Sequence, residues 1–184
     1  LNPDDEVMVP APYFSEYDHY AANVGAVLRP IPTTEDFELN VDELVGAVTE
    51  RTRILLLNSP NNPTGAVYGE DSLRALASGL RGLRERGQRV LVVEDTPYRD
   101  VVHDGSHVSS MLEHYEDTVL ITSHSKDLGL AGGLDDVLVS RDRPERVVGS
   151  LVAEHGRFPP QAVPGLEGIA VAGIAIGVDQ LRAG

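Results

Sequence analysis

Residues 53–65 read RILLLNSPNNPTG, and this stretch decides the fold. Its first half is continuously apolar rather than alternating, which marks a strand covered on both faces, as in the interior of a parallel sheet. Its second half is a cluster of Asn, Pro and Gly that continues neither strand nor helix. Next comes EDSLRALASGLRGLRERG (70–87), with Leu73, Leu76, Leu80 and Leu83 at helical spacing, arginines toward its C-terminal end and Gly87 as the expected stop. VLVVED (90–95) is then a second buried strand. Strand, long amphipathic helix and strand in succession form a βαβ unit.

The same alternation extends both ways. EVMVP (6–10) and AVLRPI (26–31) read as strands. Between them lies SEYDHYAANV, a helix whose Tyr17, Tyr20 and Val24 share one face. VDELVGAV (41–48) is a short helix, TVLITS (118–123) and DVLVS (136–140) are further strands, and Pro144 opens a helix. The expected fold class is α/β, a mostly parallel sheet with helices on both faces. No internal repeat is visible. The polar loops NSPNNPTG, DTPY and SHSK each follow a strand directly, and ligands of open α/β sheets bind at the strands' carboxyl ends.

Composition narrows the function. The chain of 184 residues is 41% apolar, carries a formal charge of −14 and has no cysteine. The charge repels phosphate backbones and anionic membranes, so neither nucleic acid nor a membrane surface is an expected partner. Lack of cysteine excludes disulfides and thiolate zinc sites within these residues. The opening residues are acidic and proline-broken, unlike a signal peptide, and the longest apolar run, 169–178, is about half a membrane span. A soluble, cytoplasmic protein is the expectation. HDGSH (103–107) reads as a turn rather than a helical metal pair, and no metal is expected. The acidic runs DDE (4–6) and EDFELNVDE (35–43) read as solvated surface.

One residue stands apart. Lys126 is the only lysine, while the other fourteen Lys/Arg positions are arginine. Arginine serves any ion pair but cannot lose its proton to become an amine nucleophile, so a lone lysine is a candidate for chemistry. With an aromatic aldehyde cofactor bearing a pyridine nitrogen, a phenolic oxygen and a phosphate, Lys126 would form a Schiff base. Asp95 could keep the pyridine nitrogen protonated, the Asx of NNPTG and the tyrosine of DTPY could bond the phenolic oxygen, and Ser123 and Ser125 could donate to the phosphate.

The motifs NSPNNPTGAVY, VEDTPY and TSHSKDLGLAGG, in this order and spacing, resemble the fold-type I pyridoxal-phosphate enzymes, specifically the class I/II aminotransferase family. The resemblance covers about the first 140 residues and runs more faintly to the end. It implies pyridoxal 5'-phosphate as cofactor, with Lys126 as the Schiff-base lysine, Asp95 as the pyridinium partner and Asn62 and Tyr98 on the phenolic oxygen. It further implies Ser123 and Ser125 on the phosphate and Phe14 stacked on the ring. An amino acid, with a 2-oxo acid as its counterpart, is the implied substrate, and a homodimer the implied assembly.

The sequence departs from the family where an arginine is expected eight residues after the lysine. Leu134 stands there, with Asp135 and Asp136 beside it. Leucine cannot make the bidentate phosphate contact, and the carboxylates repel the anion. Residues 1–165 are expected as part of the cofactor-binding large domain, and 166–184 as an interface helix leading toward a small domain that is missing here. Transamination is the leading reaction. A lyase that eliminates a β-substituent, a decarboxylase or cyclase, and a non-catalytic descendant of the family remain open.

Overall fold

The computed structural model describes residues 1–102 and 107–123, together with the backbone of 136–140. Six strands form one sheet: β1 (Glu6–Ala11), β2 (Val27–Pro32), β3 (Thr52–Asn58), β4 (Leu91–Asp95), β5 (Thr118–Ser123) and β6 (Asp136–Ser140). Their order is β2-β1-β3-β4-β5-β6. The first five are mutually parallel, and β6 runs antiparallel to β5. The mostly parallel α/β fold is the one expected. Edge strand β2, VLRPIP, carries two prolines, which blunt further strand pairing.

The expected buried strands are buried because each contributes to two cores. Met8, Leu55, Leu57 and Val92 point to one face, under α2 (Val41–Gly46) and α3 (Glu70–Glu85). Val7, Val9, Ile54, Leu56 and Val93 point to the other, which holds Tyr17 of α1 (Glu16–Asn23). The leucine stripe of α3 is fully buried, as its spacing predicts. That helix ends where expected: Gly87 sits at φ +86, and the amides of Gly87 and Gln88 bond the carbonyls of Arg84 and Leu83, the paired closure of a Schellman motif. Its start has no side-chain cap of its own; the Glu38 carboxylate accepts from the Gly69 amide and the Ser72 hydroxyl instead. Helix α2 is capped by Asn40 and Glu43, each side chain bonding the other's residue.

Two expectations are corrected. The buried face of α1 is Tyr17 and Ala21, with Tyr20 half-buried, and Val24 lies beyond the helix end. The run DDE is not all surface: Asp5 and Glu6 are buried. Glu6 is matched by Arg29 Nη1 at 2.7 Å, Arg51 Nη2 at 3.0 Å, Thr49 Oγ1 at 2.6 Å and Thr52 Oγ1 at 3.0 Å. Asp5 pairs with Arg53 at 3.3 Å. Burial pushes the Glu6 carboxyl up, but the bonds from Thr49, Arg29 and Thr52 outweigh it and hold the pKa at about 2.

Candidate active site

The carboxyl ends of β1, β3, β4 and β5 share one edge of the sheet. Asn58 and Asp95 are register partners at the ends of β3 and β4, and Asp95 is in turn opposite Ile121 in β5. Strand alternation puts Asp95 on the same face as Val93, the face covered by α1.

The loop after β3 is built by its own asparagines. Asn58 is buried; its amide nitrogen donates to the Asp95 carbonyl at 2.9 Å and its oxygen accepts from the Asn62 amide at 2.7 Å. Asn61 is also buried, and its side-chain oxygen closes an Asx turn by accepting from the Thr64 amide and hydroxyl. Gly65, at φ +74, allows the reversal that joins the Gly65 amide to the Asn61 carbonyl. The Tyr68 amide donates to the Ser59 hydroxyl, and burial pushes the Tyr68 phenol up to about 12. Asn62 is therefore carried on a rigid turn, half-buried, and its side-chain amide makes no hydrogen bond to another described residue.

After β4, the DTPY segment is tied to β5. Thr96, fully buried, donates its amide to the Ile121 carbonyl at 2.8 Å, and the Thr122 hydroxyl donates to the Thr96 carbonyl at 3.1 Å. Tyr98 follows, half-buried, just ahead of a 3-10 turn at Arg99–Val101; among the described residues its hydroxyl has no hydrogen-bond partner. Neither the Asn62 side-chain amide nor the Tyr98 hydroxyl is thus used by another described residue.

Asp95 accepts a hydrogen bond at Oδ2 from the Tyr17 hydroxyl at 2.6 Å. Tyr17 was legible only as a helix-face residue. Its pairing with Asp95 spans 78 positions, and no local signal points to it. Phe14 lies three residues past β1, half-buried, edge-on to Tyr17 with centroids 5.5 Å apart and planes at 87°. Asn58 and Asn61 were likewise missed as the framework of the loop, although an Asx at a strand end before Pro is a turn signal.

Ser123 ends β5, with its side chain outside the described residues. Ser125, Lys126 and Leu134 lie outside them too, as does the segment 166–184 and His103. Among the described residues no group of three or more His, Asp or Glu side chains could hold a metal ion. No described helix is long and apolar enough to cross a membrane.

A parallel sheet that presents a carboxylate, an amide, a phenol and an aromatic ring at one carboxyl edge is the scaffold of a cofactor-binding α/β protein. The family described as aminotransferase class I and II matches residues 1–140, and the chain belongs to that family. It is 35% identical over 134 residues to a probable aspartate/prephenate aminotransferase of Thermus aquaticus, covering 72% of this chain and 34% of that protein. It is 33% identical over 136 residues to a histidinol-phosphate aminotransferase of Moorella thermoacetica, covering 72% and 33%. Among solved structures, an amino transferase from Eubacterium rectale superposes with a TM-score of 0.69 at 36% identity, over 73% of this chain and 34% of that one. The aspartate aminotransferase of Thermus thermophilus with maleate gives 0.68 at 30%, over 79% and 37%. The chain spans about a third of the length of the relatives it matches.

Proposed function

We propose that this chain forms part of a pyridoxal-phosphate-dependent enzyme that acts on an amino acid, with transamination as its reaction. The observation that carries the reading is the juxtaposition at one sheet edge: Asp95 opposite Asn58 in register, with Asn62 on the loop that Asn58 anchors. The donor set fits the cofactor. Asp95 is a carboxylate for the pyridine N–H, Asn62 and Tyr98 are donors with no described partner for the phenolic oxygen, and Phe14 is an aromatic face near Tyr17.

When bound, pyridoxal phosphate supplies a cationic pyridine ring that draws electrons from the α-carbon of the amino acid. In this reading Asp95 keeps the ring nitrogen protonated by accepting its hydrogen bond. Asn62 and Tyr98 orient the ring in its plane, and Phe14 covers one face and excludes water from it. Ser123 and Ser125 donate to phosphate oxygens. Lys126 holds the cofactor through its amine and moves the proton at the substrate α-carbon. Relatives named aspartate/prephenate and histidinol-phosphate aminotransferases favour transamination over elimination. The reading extends to an amino acid and 2-oxo acid as substrates, a cytoplasmic homodimer, and residues 1–165 as part of the cofactor-binding domain, with 166–184 leading toward a further one.

The experiment is borohydride reduction of the full chain mixed with pyridoxal phosphate, followed by peptide mass mapping. A reduced adduct on Lys126 and loss of the visible absorbance band in Lys126→Ala are expected. An unchanged spectrum in Lys126→Ala, or an adduct elsewhere, refutes the assignment.

A further inference from the structure

We propose that Tyr17 is a positioning residue that holds the Asp95 carboxylate and the Phe14 ring in one arrangement, so that a single buried phenol sets two of the contacts assigned to the cofactor. The roles of Asp95 and Phe14 rest on the function proposed above; the positioning itself is a property of the cofactor-free chain.

Tyr17 is only 3% exposed. It packs in the core formed by Val7, Val9, Ile54, Leu56 and Val93, which restrains its ring from the sheet side. From that fixed position the hydroxyl reaches Asp95 Oδ2 at 2.6 Å, the length of a bond to an ionised acceptor. With Oδ2 held, rotation of the carboxylate about its last torsion breaks a short bond, so one orientation is retained. The same ring meets Phe14 edge-on at 5.5 Å, the geometry aromatic pairs favour.

Burial, and after it the adjacent Asp95 charge, push the Tyr17 phenol far above its ordinary range. The phenol therefore keeps its proton and donates its hydrogen bond to the Asp95 carboxylate. Tyr17 joins both candidate contacts, through its hydroxyl to Asp95 and its ring to Phe14.

Two substitutions separate its two contacts. Tyr17→Phe keeps the ring and the Phe14 contact and removes the hydroxyl alone; Tyr17→Leu removes both. The deciding measurement is a double-mutant cycle on the cofactor-free full chain, with unfolding equilibrium constants for wild type, Tyr17→Phe, Asp95→Ala and the pair. Tyr17→Phe is expected to raise the unfolding constant about tenfold to a hundredfold in the wild-type background. In the Asp95→Ala background the same change is expected to move it by less than about threefold. Equal effects in the two backgrounds overturn the proposal, because the hydroxyl would then act elsewhere.

A second arm reads function rather than stability. With pyridoxal phosphate bound, Tyr17→Phe is expected to shift the wavelength and pH midpoint of the visible band, which a purely structural loss would leave in place. Tyr17→Leu is expected to add a further severalfold rise in the dissociation constant by freeing Phe14. An unmoved band in Tyr17→Phe overturns the role toward the cofactor. If wild type binds no pyridoxal phosphate, the proposed function fails while the stability cycle still decides whether Tyr17 positions Asp95.

Discussion

Replacing Glu6 by glutamine tests a buried carboxylate held by four donors. The carboxylate is 3% exposed and accepts from two arginines and two threonine hydroxyls between 2.6 and 3.0 Å. Glutamine keeps one acceptor oxygen but removes the carboxylate charge, so the two arginine bonds lose their ion pairing and the two threonine bonds become neutral, a loss of about 1 kcal/mol each. The loss is partly offset, since a neutral amide is cheaper to bury and Arg29 and Arg51, with side chains 31% and 66% exposed, recover hydration. The net cost is about 2 kcal/mol, or roughly 4–8 °C for a domain of this size. The sign with pH follows from the folded pKa of about 2. A lowered carboxyl pKa contributes stability above the unfolded value of about 4.3, and that contribution is lost as pH falls toward 2. Denaturant unfolding of wild type and Glu6→Gln at pH 7, 4 and 2.5 should show a gap that is full at pH 7 and nearly closed at pH 2.5. Equal stability at pH 7, or a gap that does not change with pH, would refute the reasoning.

Glu94 is expected to behave with the opposite sign. It is 1% exposed, with Oε2 accepting from the Ser110 hydroxyl and the Met111 amide, and burial raises its pKa. A raised pKa removes stability as pH rises through it. Glu94→Gln should melt a few degrees above wild type at pH 8 and level with it at pH 4 in a thermal scan. At Gly79, a Cβ would meet Val45 Cγ2 at 2.5 Å where α3 crosses α2. Gly79→Ala should lose about 1–2 kcal/mol by denaturant unfolding despite its better helix propensity, because a β-branched valine has little rotamer freedom to yield. Leu134→Arg should tighten pyridoxal phosphate binding about tenfold to a hundredfold by fluorescence titration, if that position faces the phosphate. Tyr98→Phe should leave unfolding free energy within about 0.5 kcal/mol of wild type and raise the cofactor dissociation constant severalfold.

The parts legible in the sequence are those encoded locally. RILLLN and VLVVED announce buried strands because parallel strands covered on both faces need no alternation, and the α3 leucines announce a helix because their spacing repeats every turn. The face of α1 was partly misread because the eight-residue helix ends at Asn23, before Val24, and the small Ala21 shares the buried side with Tyr17. Burial of Glu6 was invisible for another reason: its partners lie 23 to 46 residues away, and only the parallel pairing of β1 with β2 and β3 brings them together. The antiparallel sense of β6 likewise follows from tertiary context rather than from the period of DVLVS. Candidate site residues were legible where they sit in short motifs at strand ends. Tyr17, which meets its partner across 78 positions, was not.

The two edges of the sheet divide the work between folding and chemistry. At the amino edge, Glu6 is matched by four donors from β2, β3 and the turn before β3, so its polar capacity is spent within the protein. At the carboxyl edge the side chains divide into two layers. Asn58, Asn61 and Thr96 are buried and bonded to backbone, and they make the loops rigid. Asn62 and Tyr98 ride on those loops with donors that no described residue uses. A half-exposed polar group contributes little to stability when water can replace its partner, whereas a donor fixed by a rigid support costs little ordering entropy when a ligand arrives. Substitution of the supporting layer should therefore appear as instability and lost binding together, while substitution of the presented layer should appear as lost binding alone. Tyr17 belongs to the first layer by burial and to the second by its contact with Asp95, which is why its two effects can be told apart only by a cycle through Asp95.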